Sequence, residues 1–392
     1  KKVFLFSLFL VLGLVLSQCL PVWLGEAFLT AEKVAKTLMF VCLAFIMINV
    51  GREFELDKTK WRSYAADYFI AMATAAVPWI MVAFYYMFLL PADLFGNWGA
   101  WKENLLLSRF AAPTSAGILF TMLAAAGLRR EWIYKKTQVL AIFDDLDTIL
   151  LMIPLQIFMI GFKWQLFAVV IVITFLLVIG WKKLGTIRLS QTWKSILFYA
   201  VCIVAVTESI YLLTKWMMGA DGAIHIEVLL PAFVLGMVMK TVHQHGNRDE
   251  KITGMISYLF MFLVGLSTPQ FIGIDHGHRI TEAVGIIAAQ PMPSWEVLIV
   301  HVIVVTLLSN LGKMFPLFFY RDRQLEERLA LSVGMFTRGE VGAGIIVIAM
   351  GYNLGGPALI ISVLSLVLNL LLTGGFVVIV KRLAQQAYGL KE

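Results

Sequence analysis

Runs of about twenty apolar residues recur along the whole chain, and short polar segments that carry most of the charge separate them. A helix rises ~1.5 Å per residue, so about twenty residues cross the ~30 Å hydrocarbon core of a bilayer. Each such run therefore predicts a helix that spans a membrane. The pattern predicts about twelve spans, at residues 3–19, 34–50, 64–90, 104–127, 135–160, 164–181, 195–216, 224–242, 252–273, 295–319, 327–350 and 356–381.

Composition favours the same class of protein. The chain is 60% hydrophobic and 15% charged, and its mean hydropathy is +0.84. A water-soluble domain of 392 residues could not bury that much apolar surface. The longest connection, at residues 274–294, is too short for a soluble domain. We therefore predict one all-α polytopic unit over residues 1–392, with the lipid bilayer as its surroundings.

Basic residues alternate between abundant and scarce from one connection to the next. Of the 32 Lys and Arg residues, 23 fall in connections on one side, six on the other, and three inside spans. Cytoplasmic connections carry the excess of positive charge in membrane proteins. This bias predicts a cell membrane protein with both termini in the cytoplasm. It also accounts for the net charge of +7 without any binding of nucleic acid.

Few ionisable residues remain inside the spans. Each charge at the bilayer centre costs about 2.5–3.5 kcal/mol and needs a partner, water or a function. The bases are Arg109, Lys313 and Arg338. The acids are Asp144, Asp145, Asp147, Glu208 and Glu340. We expect Arg109, near one end of its span, to reach an interface, and Glu208 is a candidate for helix packing as well as for transport.

The fifth predicted span carries the densest group of acids. Asp144 and Asp145 are adjacent, about 100° apart around a helix, so they face different neighbours at one depth. Asp147 shares the face of Asp144, and Thr148 stands beside both. Burial and mutual repulsion favour a bound proton or cation on such acids over a bare charge. The pair predicts a site where H⁺ and a monovalent cation compete, while neutralisation by a buried base purely for packing stays open, above all for Asp147.

Two spans contain residues that interrupt a helix. Pro113, followed by Thr114 and Ser115, removes a backbone donor in the fourth span. Residues 337–344 of the eleventh span include three glycines and two opposite charges. Broken helices free carbonyls and hydroxyls that can bind a hard cation. For the fourth span, a simple proline kink is the alternative.

The interrupted spans occupy matching places in the order of the chain. Spans three to five and spans ten to twelve each have the break in the middle, and the two trios begin on opposite sides of the membrane. This arrangement predicts inverted-topology repeats, whose substrate site lies at their interface near the bilayer midplane.

Taken in order, these motifs resemble those of the monovalent cation:proton antiporters, in particular the sodium/proton antiporters with two adjacent aspartates. The resemblance extends from about Phe45 to Arg382. The motifs that carry it are residues 49–56, Pro113-Thr114-Ser115, Phe143-Asp144-Asp145, residues 231–236, residues 262–267, Gly312-Lys313 and residues 338–342.

The resemblance implies roles for single residues. Asp145 would carry the cation and the proton in turn. Asp144 would pair with Lys313 and release it when the ion binds. Thr114 and Ser115 would border the site. Asp147 lies outside the family motif and is a candidate third titrating group.

The resemblance also implies an organisation. Arg338 and Glu340 would stabilise the broken eleventh span, against each other or another buried acid. A homodimer without an obligatory protein partner or cofactor is expected, as is electrogenic exchange of more protons than cations. The domains implied are a transport core of residues 64–160 and 295–382, a dimerisation scaffold of residues 1–50 and 195–273, and a linking helix within residues 164–194.

Two other functions remain as alternatives. A sodium-coupled symporter of an organic anion would share this architecture but would show a large polar cavity and no obligatory Lys313–Asp144 pair. A membrane prenyltransferase is the enzyme alternative, because the segment 144–147 is similar to acidic motifs that hold Mg²⁺-diphosphate. Such sites need a second acidic cluster, which the sequence lacks. The sequence therefore predicts a transporter that exchanges Na⁺, or else Li⁺ or K⁺, for protons in pH homeostasis.

Overall fold

The architecture comes from a computed structural model, which describes residues 2–53, 61–160, 165–183, 185–218, 228–239, 247–267, 285–287, 289–352 and 354–389. Helices make up most of these residues, and no β-strand occurs among them. The α-helices are α1 (Lys2–Leu24), α2 (Phe28–Glu53), α3 (Trp61–Phe88), α4 (Trp98–Ser108), α5 (Ala116–Ala125), α6 (Trp132–Ile160), α7 (Gln165–Lys182), α8 (Trp193–Met218), α9 (Leu229–Val238), α10 (Asn247–Leu266), α11 (Trp295–Gly312), α12 (Leu325–Gly334), α13 (Glu340–Gly351) and α14 (Gly356–Tyr388).

Each predicted span overlaps at least one of these helices, and the fourth and eleventh spans each overlap two. Several helices exceed their predicted bounds, and α14 continues past its basic residues to Tyr388. Within the part of the chain that the structure describes, the segments long and apolar enough to cross a bilayer by themselves are Lys33–Arg52, Ser63–Phe88, Trp98–Ala125, Trp193–Met217, Trp295–Phe318 and Gly356–Tyr388. Shorter apolar helices accompany them. The prediction of an all-α polytopic fold is confirmed.

The chain forms two compact units, of which the first comprises Lys1–Gly25, Arg62–Leu155 and Val264–Glu392. Within this unit α14 packs against α1, α11 and α12. Buried hydroxyl groups join the helices: Tyr86 bonds to Ser362 at 2.7 Å, and Thr306 bonds to Ser365 at 2.9 Å. Such hydrogen bonds between apolar helices satisfy polar groups that lipid could not.

An ion pair between a half-buried lysine and a buried aspartate joins α6 to α3 in the first unit. Lys136 Nζ on α6 lies 2.8 Å from Asp67 Oδ2 on α3. The Tyr320 hydroxyl, in the turn after α11, donates to Asp67 Oδ1 at 2.7 Å. Burial and the charge of Asp67 raise the pKa of Tyr320 well above its ordinary value, so the phenol remains a neutral donor. This contact holds α6 beside the helices that contribute the other residues of the site.

The second unit comprises Glu26–Trp61 and Gln156–Leu263. Here α2 packs against α8 and α9, and α7 packs against α9. Helices α2 and α9 approach closely where Gly51 and Gly236 face each other. A Cβ atom on Gly236 would lie 2.9 Å from Gly51 Cα and would overlap the main-chain oxygen of Ile48. Small residues at such a crossing allow close backbone packing, which is a main source of helix association in lipid.

Gly236→Ala is therefore expected to lower the free energy of unfolding by about 1–3 kcal/mol, because the added methyl group meets backbone atoms that cannot rotate away. Gly254→Ala on α10 is the matched control, since nothing lies within 4 Å of its added Cβ. Alanine is favoured over glycine inside a helix, so the control should equal or exceed the wild type. Thermal unfolding in detergent measures both, and equal stability of the two variants would contradict the close approach.

Candidate functional site

The first break in a span separates α4 from α5. After α4, residues Arg109–Ala111 form one turn of 3₁₀-helix, and the chain then leaves helical geometry until Ala116. Pro113 within this stretch has no backbone N–H to donate. The Ser115 side chain accepts a hydrogen bond from the Ile118 N–H at 3.4 Å and so caps the start of α5. The interruption predicted from the Pro-Thr-Ser sequence is present.

The second break separates α12 from α13, and the two breaks are bonded to each other. The Ser115 N–H donates to the Thr337 carbonyl at 2.9 Å, and the Thr114 hydroxyl donates to the Met335 carbonyl at 3.0 Å. A Cβ atom on Gly339 would lie 2.7 Å from Ser115 Oγ, so this approach requires glycine. Helices α5 and α13 both begin at this contact, which places the positive ends of two helix dipoles there.

Asp144 on α6 lies against this contact with both carboxylate oxygens occupied. Lys313 Nζ donates to its Oδ2 at 2.8 Å and to its Oδ1 at 3.1 Å. The Thr114 N–H donates to Oδ2 at 2.7 Å. Both charged side chains are fully buried. Asp144 is thus neutralised by a fixed cation and tied to the first break through the backbone.

Two of the three bases inside the spans, Lys313 and Arg338, differ in what they bind. Lys313 directly follows the last residue of α11, where the negative end of the helix dipole favours a cation. Arg338, also fully buried, donates to the carbonyls of Met335 at 3.1 Å and Ser309 at 3.3 Å. Arg338 therefore holds carbonyls of the second break and of α11. The side chain of Glu340, the first residue of α13, lies outside the described part of the structure.

Asp145 is buried at the same depth of α6, with 4% of its surface exposed. Because it directly follows Asp144 in the helix, it points about 100° away from its neighbour. The Thr148 hydroxyl donates its hydrogen bond to the Asp144 main-chain oxygen at 2.8 Å, and therefore to the helix backbone. The site consequently has Asp144, paired with Lys313, bonded to the first break, and a second buried acid beside it on the same helix.

Asp147 lies less than one turn further along α6 and is also buried. Its Oδ1 accepts a hydrogen bond from the Tyr68 hydroxyl on α3 at 2.7 Å. Arg109 Nη2 donates to the Asp147 main-chain oxygen at 3.0 Å, and its guanidinium lies 4.5 Å above the ring of Trp79. The expectation that Arg109 reaches an interface is wrong: the side chain is fully buried. It sits on the turn that opens the break, where the ring and the carbonyl hold it inside.

Glu208 lies on α8 in the second unit and is half-buried. Sequence reasoning missed three contributors to the site: the Tyr68 hydroxyl, the Thr114 backbone N–H and the Ser309 carbonyl. A tyrosine inside an apolar span is a weak signal, and main-chain N–H and carbonyl groups leave none in the sequence.

A group of buried acids, one of them paired with a buried lysine and bonded to a broken helix, is typical of secondary ion transporters when it occurs in an apolar helical chain. Residues 2–383 match the family described as sodium/hydrogen exchanger, transmembrane, and the chain belongs to that family. A comparison with curated proteins finds no match. The predicted membership of the cation:proton antiporter superfamily is confirmed, and the assignment to the two-aspartate branch stays a prediction. The family is one of transporters, so the prenyltransferase alternative is wrong.

Proposed function

We propose that the protein exchanges Na⁺, or else Li⁺ or K⁺, for protons, and that Asp145 binds the cation and the proton in turn. The observation that supports this assignment is the set of hydrogen bonds made by the neighbouring Asp144. Both oxygens of Asp144 are taken by Lys313 and the Thr114 N–H. An arriving cation therefore needs another buried carboxylate at this depth, and Asp145 supplies it. Membership of the exchanger family supports cation:proton antiport itself.

The broken helices complete the proposed site. Thr114 and Ser115 border it, and the carbonyls of the two breaks can supply oxygen ligands of the kind that hard cations bind. Arrival of a cation weakens the pair between Asp144 and Lys313, which frees oxygen ligands on Asp144. Arg338 keeps the second break in place by holding its carbonyls. Proton binding at Asp145 removes the negative charge and releases the cation.

The transport cycle we propose is alternating access in a homodimer within the cell membrane, with both termini in the cytoplasm. A core of residues 64–160 and 295–382 carries the bound ion from one side to the other. The exchange is electrogenic, since more than one proton returns for each cation.

Competition at a single acid makes a direct binding prediction. Because a proton excludes the cation, the apparent Kd for Na⁺ should rise as the pH falls, approaching tenfold per pH unit for one competing proton. Radiolabelled Na⁺ binding to the purified protein over a pH series measures this. Asp322→Asn, at an exposed acid in the turn before α12, is the control and should follow the wild-type curve. A Kd independent of pH would contradict the proposal.

The sodium-coupled symporter remains as the second function. It predicts Na⁺ binding that strengthens when an organic anion is added and that releases no proton. The buried ion pair between Asp144 and Lys313 favours the exchanger, because a symporter does not require that pair.

A further inference from the structure

We propose that Asn310 is a positioning residue for the exchange: its side-chain oxygen accepts the Lys313 ammonium group when a bound cation displaces that group from Asp144. The inference rests on the proposed function, since it concerns the step in which Asp144 releases Lys313. It supplies the second hydrogen-bond acceptor that this step requires.

Lys313 needs another acceptor in order to leave Asp144. Its side chain is fully buried, and the two oxygens of Asp144 accept from it at 2.8 and 3.1 Å. A buried ammonium group that loses its acceptors is strongly destabilised, because no water replaces them. Arg338, also fully buried, donates to the Ser309 carbonyl in the last turn of α11. A second positive charge therefore lies near the same helix end and adds to the cost of an unpaired ammonium.

The backbone at the end of α11 is already engaged. The carbonyls of Ser309, Asn310 and Leu311 each accept a hydrogen bond, at 3.3, 3.1 and 3.0 Å. Gly312, the last residue of α11, lies directly against α3, since a Cβ atom on it would be 2.5 Å from Pro78 Cα. These contacts favour a side-chain oxygen as the acceptor for a released Lys313.

Asn310 carries an oxygen of this kind. The residue is 8% exposed, and its buried Oδ1 has no hydrogen-bond partner among the described residues. The Lys313 N–H donates to the Asn310 main-chain oxygen at 3.1 Å, so the two residues lie within one helical turn. Side chains three positions apart on a helix are neighbours, with about 5–6 Å between their Cβ atoms, and a lysine side chain can bridge that distance. The Asn310 oxygen is therefore within reach of the Lys313 ammonium group.

The two acceptors alternate during the proposed cycle. In the structure Lys313 is paired with Asp144, and Asn310 Oδ1 lacks a donor. When Na⁺ binds beside Asp144, the ammonium group turns and donates to Asn310 Oδ1. Lys313 keeps its proton throughout, so the step adds no proton to the exchange. When the cation leaves, the ammonium group returns to Asp144, because a carboxylate is a stronger acceptor than a neutral amide.

The test is Na⁺ binding by Asn310→Leu, which keeps the approximate size of the side chain and removes its oxygen. The apparent Kd for Na⁺, measured with radiolabelled Na⁺ on purified protein at one pH, should rise about tenfold or more. That is the loss expected for one hydrogen bond to a charged group. The unfolding temperature without Na⁺ should stay the same or rise, because an unpaired buried oxygen has been removed. A residue that only packs α11 would give lower stability and an unchanged Kd.

Two comparisons assign the effect to Lys313. In a Lys313→Met background, Asn310→Leu should no longer change the Kd, because the ammonium group is absent. Asn104→Leu is the matched control, since Asn104 on α4 is also buried and its Oδ1 also lacks a partner among the described residues. It should bind Na⁺ as the wild type does.

A conservative variant and a substitute complete the design. Asn310→Gln keeps an amide oxygen and should retain most of the Na⁺ affinity. If Asn310→Leu is not recovered as folded protein, Asn310→Ala takes its place, because it lacks the oxygen as well. An unchanged Kd in the variant without the oxygen, or a rise that persists in the Lys313→Met background, would overturn the inference. A wild type that binds no Na⁺ would instead refute the proposed function.

Discussion

Replacement of Asp145 by alanine is expected to abolish exchange. The cation has to be held at the depth of the two breaks by a carboxylate, and Asp144 is already neutralised by Lys313. Removing the charge of Asp145 leaves an entering Na⁺ without an available carboxylate at that depth, in low-dielectric surroundings where Coulomb interactions are strongest. We expect at least a ~100-fold loss of rate, equivalent to about 2.7 kcal/mol of lost ion stabilisation.

The design of this experiment separates charge from shape. Asp145→Asn keeps the size of the side chain and should be as inactive as Asp145→Ala, since only the charge is missing. The exposed Asp322→Asn should retain wild-type exchange. Rates of Na⁺-driven proton movement in proteoliposomes, normalised to reconstituted protein, provide the comparison. Full activity of Asp145→Ala would show that the cation is bound elsewhere.

Loss of Lys313 is the second large effect. Among the described residues, Lys313→Ala leaves the Thr114 N–H as the one donor to the buried Asp144. An uncompensated buried charge of this kind costs about 3–5 kcal/mol. The variant should therefore unfold at lower temperature in detergent. The pH dependence of exchange should change as well, because Asp144 would have to bind a proton or a cation to remain buried.

A double-mutant cycle identifies the ion pair as the cause. Replacing a whole buried pair with neutral groups is often neutral or stabilising, so Asp144→Asn combined with Lys313→Met should recover most of the stability that Lys313→Met loses alone. Additive losses from the two replacements, or indifference of the single Lys313 variant, would refute the role assigned to the pair.

The helical architecture and the positions of the breaks could be predicted from the sequence because bilayer physics leaves few choices. Apolar runs in lipid favour helices, and a proline followed by two hydroxyl residues, or three glycines beside two charges, favour an interruption. The acids Asp144, Asp145 and Asp147 could be selected because charges in lipid are rare enough to stand out.

The contacts of those acids could not be predicted. The bond from the Thr114 N–H to Asp144 depends on where the chain leaves the helix, which Pro113 alone does not fix to one residue. Tyr68 and Asp147 are 79 positions apart, and a tyrosine within an apolar span does not reveal its partner. The burial of Arg109 could not be predicted, because a position near the end of a span favours an interface. In the structure Arg109 lies at the start of the first break, where the Trp79 ring covers its guanidinium.

Exchange of a monovalent cation for protons at the buried Asp145 is the proposed activity. Its most direct test is the purified protein in proteoliposomes with an imposed pH gradient, to which Na⁺, Li⁺ or K⁺ is added outside. We expect Na⁺ to dissipate the gradient in wild-type vesicles and to leave it intact in Asp145→Ala vesicles. A wild-type gradient that none of the three cations dissipates would contradict cation:proton exchange by this protein.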